Sequence, residues 1–429
     1  MSIRFLHEPA PGLGFVDIVV SFDVGAEADP PGQEGLTQLT MRLMRCGTTE
    51  RTRAQVDAEI ERLGAHLELG AGLHRVSLRG RVIRESLEPF VRLLLGLALE
   101  PAMREEDFAQ ARRLLLAEAV ARRDDDQDLA GRAFRRLLFA GHRLGRPASG
   151  TVASLQHVER SACIARHQAI CARDTLVLGV AGDVGEDEAR RLLLEPLGNL
   201  PERSTLARPA GEASAPCGLR ALLVDKPERT QAQIYIGHLG PKPGREHHDG
   251  LLVSSVAFGG TFSARLMQEV RVKRGWSYGA YSRLSRSKSD DGWYLWTFPA
   301  TKDVGPCLAL ELEMVGALAR EGITQAELDF AQGYLVGSSV FLIDTPADRL
   351  ERRIEVETLG FPRDYYTGLR RRVEAVTLEN ARAATCAAVH PGDLVVALLG
   401  TVSQIEQPVR EALGPGAVVE TIAFDDDTL

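Results

Sequence analysis

Apolar and polar positions repeat along the chain with two different periods, which indicates a mixed α and β protein. Residues 75–82 alternate strictly between polar and apolar, the pattern of a strand with one side in solvent. Residues 175–181 and 232–237 are richer in apolar side chains, as in buried strands, and residues 292–298 also predict a strand. The spacing over 105–121 predicts a long helix. Because strands and helices do not alternate regularly, the order favours an α+β sandwich over a Rossmann fold.

Helix starts are marked by threonine. Thr324 is followed three residues later by Glu327, which is the capping-box pattern and predicts that a helix begins there. A second helix is expected to begin after Thr52, with Val56 and Ile60 on its buried face. Both halves of the chain therefore contain the same kinds of element.

Two segments of the chain recur at nearly one offset. Residues 107–110 read Asp-Phe-Ala-Gln and recur as 329–332, which is 222 positions later. Residues 174–182 are echoed by 393–400 about 219 positions later. A repeat of this length is far too long for a solenoid. It predicts two homologous domains, each an α/β sandwich of a mixed, mainly antiparallel sheet packed with helices.

The junction between the two halves is also visible in the sequence. Residues 203–216 are rich in Pro, Ala, Ser and Gly and show no apolar periodicity, so they predict an extended linker. We therefore expect an N-terminal domain over 1–202 and a C-terminal domain over 217–429.

Composition excludes several classes of function. The 429 residues carry a net charge of −8, which argues against non-specific binding to nucleic acid or to an anionic membrane. The six cysteines form no Cys-x-x-Cys pair, so neither a disulfide framework nor a thiolate metal site is expected. The first residues show no apolar signal region, and we expect a cytoplasmic protein. Arginine far outnumbers lysine among the 51 basic residues, which is typical of a GC-rich bacterial genome.

The most informative motif is a short helix that has the frame of a metal site without its ligands. Residues 35–48 resemble the zinc helix of the pitrilysin-type peptidases, the inverzincins, which include the mitochondrial processing peptidase. Those enzymes carry His-x-x-Glu-His at this place. Here the two ligand positions hold Gln38 and Arg42, and the general-base position holds Met41. An amide, a cation and a thioether cannot assemble a catalytic zinc site.

One ligand position of the family survives. Glu118 follows Arg42 by 76 residues, the spacing that the resemblance implies for the third zinc ligand. A lone carboxylate does not hold Zn²⁺ usefully, and we expect Glu118 to form an ion pair with Arg42 in the vacated position. The sequence therefore predicts no metal in this chain.

The second half resembles the family in another functional element. Residues 258–278 are similar to the family's Gly-rich turn, helix and strand. The resemblance implies that Arg271 and Tyr278 reach a zinc site and that Gly259 and Gly260 touch substrate. The tyrosine would donate to the scissile carbonyl, and the arginine would hold substrate carbonyls. The alternatives are a surface cation, a half-buried strand tyrosine and a tight helix entry, since the glycine spacing fits no nucleotide-binding motif.

These features predict the non-catalytic subunit of a bacterial heterodimeric zinc metallopeptidase, one half of a clamshell. A zinc-binding paralogue would be the partner, and zinc would be its cofactor; this chain would supply Arg271 and Tyr278 in trans and help to enclose a peptide substrate. Two alternatives remain open: a structural subunit like the core subunits of respiratory complexes, or a peptide-binding homodimer without proteolysis.

Overall fold

The computed structural model of the chain describes residues 3–206 and 211–429. Residues 207–210 of the predicted linker lie outside the described residues. The strands within the described ranges are β1 (Arg4–Pro9), β2 (Phe15–Phe22), β3 (His66–Ala71), β4 (Val76–Ile83), β5 (Leu176–Gly182), β6 (Arg220–Asp225), β7 (Gln233–Gly240), β8 (Ala280–Leu284), β9 (Asp291–Thr297), β10 (Val395–Gly400) and β11 (Val418–Ala423).

The helices fall between and after these strands. They are α1 (Leu36–Met44), α2 (Arg53–Arg62), α3 (Leu87–Leu99), α4 (Glu105–Ala121), α5 (Asp126–Leu138), α6 (Val152–His157), α7 (Arg160–Ile170), α8 (Glu186–Leu194), α9 (His248–Ser255), α10 (Arg265–Met267), α11 (Val304–Glu321), α12 (Gln325–Ser339), α13 (Pro346–Leu359), α14 (Leu369–Glu374), α15 (Leu378–Ala388) and α16 (Val402–Leu413). The predicted capping box at Thr324 is present, with Glu327 as its third residue, and the helix expected after Thr52 also begins with a capping box, which Gln55 completes.

The two sheets repeat one topology, which supports the duplication inferred from the sequence. The first sheet has the order β1-β5-β2-β4-β3, and the second has the order β11-β6-β10-β7-β9-β8. In each sheet one parallel pair (β1 with β5, β6 with β10) is followed by antiparallel pairs, so the second sheet equals the first with β11 added at one edge. The predicted fold class, mixed and mainly antiparallel sheets packed with helices, is confirmed.

The two compact units are not simply the first and second halves of the sequence. Each unit includes one segment from the other half. The first unit comprises 1–120, 147–210 and 341–363, and the second comprises 121–146, 211–340 and 364–429. The predicted domains 1–202 and 217–429 follow the duplicated sequence, so each of them lacks a segment that its unit takes from the other half.

A helix at the same point of each repeat accounts for the exchange. In the first unit α13 packs on β5 and β1, and in the second unit α5 packs on β10, β7 and β6. Leu350 and Ile354 of α13 form a buried apolar cluster with Leu6, Val19, Val177 and Ala181 of the sheet. An apolar sheet face must be covered to be stable in water, and here the covering helix comes from a distant part of the sequence.

A long apolar segment lies within the second unit. Residues His248–Lys273 have the length and hydropathy of a membrane-crossing helix, but 61% of their most apolar window is buried in the fold. The backbone also leaves helical geometry at Gly259 and Thr261. Burial and interruption are typical of a core segment, so this stretch does not indicate a membrane span.

A buried ion pair fixes the start of α1, the helix of the degenerate zinc motif. Asp29 accepts hydrogen bonds from the backbone N–H groups of Gly35 and Thr37 at 3.2 Å and from the Thr37 hydroxyl at 2.5 Å. Arg166 of α7 donates to the same carboxylate at 2.7 Å, and both side chains are almost fully buried. Burial raises the pKa of Asp29, and the positive charge of Arg166 opposes that change.

Replacing Arg166 tests this anchor. Arg166→Met should lower the free energy of unfolding by about 3–5 kcal/mol, because it leaves the Asp29 carboxylate buried without its cation. Chemical denaturation measures the loss. Arg62→Met is the matched control: Arg62 is exposed and pairs with Glu59 on its own helix, so its replacement should change the midpoint little. Equal midpoints for the two variants would contradict the role given to Arg166.

Candidate functional site

The degenerate zinc motif lies on α1, which faces α4 in the first unit. The predicted ion pair is present: Arg42 Nη2 donates to Glu118 Oε2 at 2.5 Å. Both side chains are partly exposed, so the pair contributes little to stability. It does show that the helices that carry zinc ligands in the family are adjacent here.

The residues in the ligand positions do not fit a zinc ion. A guanidinium has no lone pair to donate and stays charged, so Arg42 would repel a divalent cation. Met41 is only 2% exposed and belongs to the apolar core of the unit. Within residues 3–206 and 211–429, no group of three or more His, Cys, Asp or Glu side chains could hold a metal ion.

A cleft of about 340 Å³ opens beside the degenerate motif, between α1, β3 and α4. Its apolar wall includes Leu67, Leu69 and Ala71, which are alternate residues of β3. β3 is the terminal strand of its sheet. The cleft therefore combines an apolar wall with an unpaired strand edge.

Polar and charged groups line the rest of this cleft. They comprise Gln38, Arg42, Arg45, Arg53, Asp107 and Gln110. Cys46 also lines it, but burial raises the pKa of the thiol, so Cys46 is not an activated nucleophile. The geometry supports binding in the cleft and offers no hydrolytic group.

The predicted Arg271–Tyr278 pair is brought together in the second unit. The Arg271 guanidinium carbon lies 4.3 Å from the centre of the Tyr278 ring, which is the distance of a cation–π contact. Tyr278 is 72% exposed. Among the described residues, neither the guanidinium nor the phenol hydroxyl has a hydrogen-bond or ion-pair partner within the chain. Both groups are therefore free to bind another molecule.

The structure adds Phe262, a residue that sequence reasoning does not single out. Its ring lies 5.3 Å from the Arg271 guanidinium carbon, so Arg271 contacts two aromatic rings. Phe262 is 65% exposed and follows the Gly-rich turn directly. No local signal in the sequence identifies Phe262, since single apolar residues are common on protein surfaces.

Close packing against β8 explains why the first residue of the Gly-rich turn, Gly259, is a glycine. A Cβ atom on Gly259 would lie 2.6 Å from the backbone nitrogen of Ser282, so any side chain there would clash with β8. Gly260 is less restricted, with Val256 atoms at 3.1 Å from the Cβ position. Close packing accounts for Gly259. The role of Gly259 and Gly260 in substrate binding remains a prediction.

Comparisons with known proteins agree with this fold. The family described as "Insulinase (Peptidase family M16)" matches residues 4–152, and "Peptidase M16 inactive domain" matches residues 158–335. The chain is 26% identical over 386 residues to an uncharacterized zinc protease of Mycobacterium leprae, covering 89% of this chain and 86% of that protein. It is 24% identical over 392 residues to the "non-peptidase homolog YmxG" of Helicobacter pylori, covering 90% and 89%.

Solved structures share the architecture. A peptidase M16 inactive domain from Pseudomonas fluorescens superposes with a TM-score of 0.86 at 21% identity, covering 93% of this chain and 95% of that one. A chain of Complex III2 from Candida albicans gives a TM-score of 0.79 at 14% identity, covering 97% and 99%. At these identities the two likenesses show the fold alone.

A two-sheet α+β fold with a degenerate His-x-x-Glu-His frame defines a peptidase-like protein in which the two histidine positions of the zinc helix hold Gln38 and Arg42. The chain belongs to peptidase family M16, and the predicted resemblance to the pitrilysin-type peptidases is confirmed. Within that family it is a non-catalytic member, because Gln38, Met41 and Arg42 replace the metal-binding and general-base residues.

Restoring the ligands tests whether α1 and α4 keep the family's alignment. We expect the Gln38→His, Arg42→His double variant to bind one zinc ion through the introduced imidazoles and Glu118, since ligands at i and i+4 lie on one helix face. Met41 is left in place, because a carboxylate at this buried position would be costly. Metal analysis after dialysis measures the content, and the unaltered chain should contain no stoichiometric zinc.

Adding Glu118→Gln to the double variant is the control and should weaken zinc binding strongly. A folded double variant without zinc would show that the ligand positions do not converge. Tightly bound zinc in the unaltered chain would contradict the interpretation of the degenerate motif.

Proposed function

We propose that this chain is the non-catalytic subunit of a two-subunit zinc peptidase. A zinc-bearing paralogue is the partner, and this chain completes the partner's substrate site with Arg271 and Tyr278. The observation that carries the proposal is the state of this pair: Tyr278 is exposed, Arg271 stacks on its ring, and neither polar group has a hydrogen-bond or ion-pair partner among the described residues.

The chemistry of the pair suits peptide hydrolysis in the partner's site. A phenol hydroxyl can donate a hydrogen bond to a carbonyl oxygen as negative charge develops on it. A guanidinium can donate to the backbone carbonyls of an extended peptide and hold the scissile bond in place. Contact with Phe262 and Tyr278 restricts the Arg271 side chain, which lowers the entropy lost when it binds substrate.

A role in trans also accounts for the contrast between the two units. The first unit has lost its metal ligands, and Arg42 and Glu118 neutralise each other there. In the second unit, Arg271 and Tyr278 have no hydrogen-bond partner among the described residues, and donors without partners are not needed for stability. A reaction centre supplied by another chain would explain why these two donors are present.

A structural role is the second candidate, and the likeness to a chain of Complex III2 favours it at the level of fold. A peptide-binding homodimer is the third. Co-purification separates the three: a heterodimer with a paralogue that carries an intact zinc motif supports the proposal. A stable homodimer without metal supports the binding role, and incorporation into a larger assembly without proteolysis supports the structural role.

Replacing Tyr278 tests the role in trans. In the reconstituted heterodimer, Tyr278→Phe should lower kcat by about 10²–10³, the usual effect of removing one oxyanion donor, while leaving assembly unchanged. Hydrolysis of a quenched fluorescent peptide measures kcat, and size-exclusion chromatography measures assembly.

Tyr334→Phe is the matched control, because Tyr334 is also an exposed tyrosine of the second unit but lies on α12. Its turnover should equal that of the unaltered complex. Full activity of Tyr278→Phe would remove the phenol from the mechanism.

A further inference from the structure

A further cavity of about 540 Å³ opens in the second unit, between α5, β7, β9 and the segment that follows β8. Its lining residues all fall within 121–146 and 211–340, which belong to the second unit. Neither the degenerate motif nor the Arg271–Tyr278 pair contributes to it. Small-molecule sites usually have volumes of about 300–1,000 Å³, so this cavity is large enough to hold a ligand.

Three aromatic side chains form one wall of this cavity. They are Phe134 of α5, Tyr235 of β7 and Tyr294 of β9, and their ring centroids lie 5.7–5.9 Å from one another. Burial raises the pKa of Tyr235 to about 12 and also raises the pKa of Tyr294, so both phenols are neutral at physiological pH. The wall therefore combines aromatic surface with uncharged hydroxyl groups.

Two glycines within regular elements leave space in front of this wall. Gly131 lies inside α5, and a Cβ atom there would lie 3.7 Å from the Tyr235 hydroxyl oxygen, which is an ordinary contact distance. Alanine would therefore fit at this position and would favour the helix. Gly292 of β9 is tighter, with Phe134 Cε1 and Leu138 Cδ2 at 3.3 Å from the Cβ position. Packing does not require a glycine at position 131, and its presence enlarges the cavity.

The charged groups that line the cavity leave one carboxylate without a cation. Arg132 Nε lies 2.8 Å from Asp128 Oδ2. Arg135 Nη1 lies 3.0 Å from Asp291 Oδ1. Asp125 accepts a hydrogen bond from the backbone N–H of Asp128 at the start of α5, and it has no ion-pair partner in the part of the chain that the structure describes. The lining therefore has an excess of negative charge at Asp125.

A cation beside the aromatic wall lies outside the lining. Arg283 of β8 is opposite Tyr294 in the sheet register, and its charge acts on the hydroxyls of both Tyr235 and Tyr294. Arg283 is exposed, so water and salt screen its charge. A ligand inside the cavity therefore meets Asp125 as the unpaired charge of the lining.

We propose that this cavity binds a small organic cation, specifically a primary amine on an aromatic or other apolar body. The apolar body packs against Phe134, Tyr235 and Tyr294, and the ammonium group is attracted by the ring faces and by the Asp125 carboxylate. The aromatic wall selects the body of the ligand, and the unpaired carboxylate selects its charge. The site requires neither a zinc-bearing partner nor Arg271 and Tyr278.

The primary test compares three ligands of similar shape by isothermal titration calorimetry with the purified full chain. The probes are 2-phenylethylamine, 2-phenylethanol and 3-phenylpropionate, which are cationic, neutral and anionic. The amine should bind at least about fivefold more tightly than the alcohol, because only the amine gains a cation–π contact and a charge-assisted hydrogen bond. The carboxylate should bind most weakly, since Asp125 repels it.

Asp125→Asn tests the selection of charge. Asparagine caps a helix about as well as aspartate, so α5 should keep its stability, and thermal denaturation checks this. Affinity for the amine should fall by about three- to tenfold, whereas affinity for the alcohol should not change. Asp124→Asn is the matched control, because Asp124 is the preceding acidic residue, is exposed and does not line the cavity.

Gly131→Leu tests the place of binding. The leucine side chain would occupy the space in front of Tyr235, and affinity for both the amine and the alcohol should fall at least about tenfold. Gly333→Leu is the matched control: Gly333 also lies inside a helix of the second unit, α12, and no atom lies within 4 Å of its Cβ position. This control should bind both ligands like the unaltered chain.

Equal affinities for the amine and the alcohol, tighter binding of the carboxylate, or no binding of any probe at millimolar concentration would overturn the proposal. Unchanged amine binding by a folded Gly131→Leu variant would also overturn it, by showing that the amine binds elsewhere. Tyr278→Phe should leave amine binding unchanged, so failure here is distinguishable from failure of the role in trans.

Discussion

The buried carboxylate of Asp29 holds the first unit in the arrangement on which the cleft beside α1 depends. It accepts hydrogen bonds from the N-terminus of α1 and an ion pair from Arg166 of α7, so the direction of α1 is set from inside the core. Gly35 adopts a left-handed conformation at this point, and a Cβ atom there would lie 2.8 Å from Leu155. With α1 fixed, Arg42 meets Glu118, and the cleft between α1 and β3 has a defined width.

Duplication allowed the two units to diverge in opposite ways. The frame that holds zinc in related enzymes persists in the first unit as an ion pair on adjacent helices, since the packing of α1 against the core does not depend on the metal. In the second unit the Arg271 guanidinium contacts two aromatic rings and has no ion-pair partner among the residues that the structure describes. The first unit keeps its fold without the zinc ligands because its own apolar core stabilises it.

Much of this arrangement could be predicted from the sequence where local patterns decide it. The bounds of α4 agree with the predicted range of 105–121, because a long amphipathic pattern and its flanking residues are local signals. The contact between Arg42 and Glu118 followed from a family spacing. The place of Phe262 against Arg271 could not be predicted, since it depends on how a Gly-rich turn folds back on a helix.

The origin of the covering helices could not be predicted either. The apolar face of α13 shows that the helix is buried, but nothing in its period identifies the sheet that it covers. Because the repeated sequence segments occur in the same order in both halves of the chain, two consecutive domains were the simpler expectation. The exchange is a property of tertiary packing across long sequence separations.

The position of α13 late in the sequence delays the completion of the first sheet's core during translation. After β5 leaves the ribosome, residues 183–345 must be translated before the helix that covers β5 and β1 exists. At about 5–20 residues per second this interval is on the order of ten seconds or more. Throughout that time Leu6, Val19, Val177 and Ala181 have no native cover, so the nascent first sheet is a natural client for a ribosome-associated chaperone.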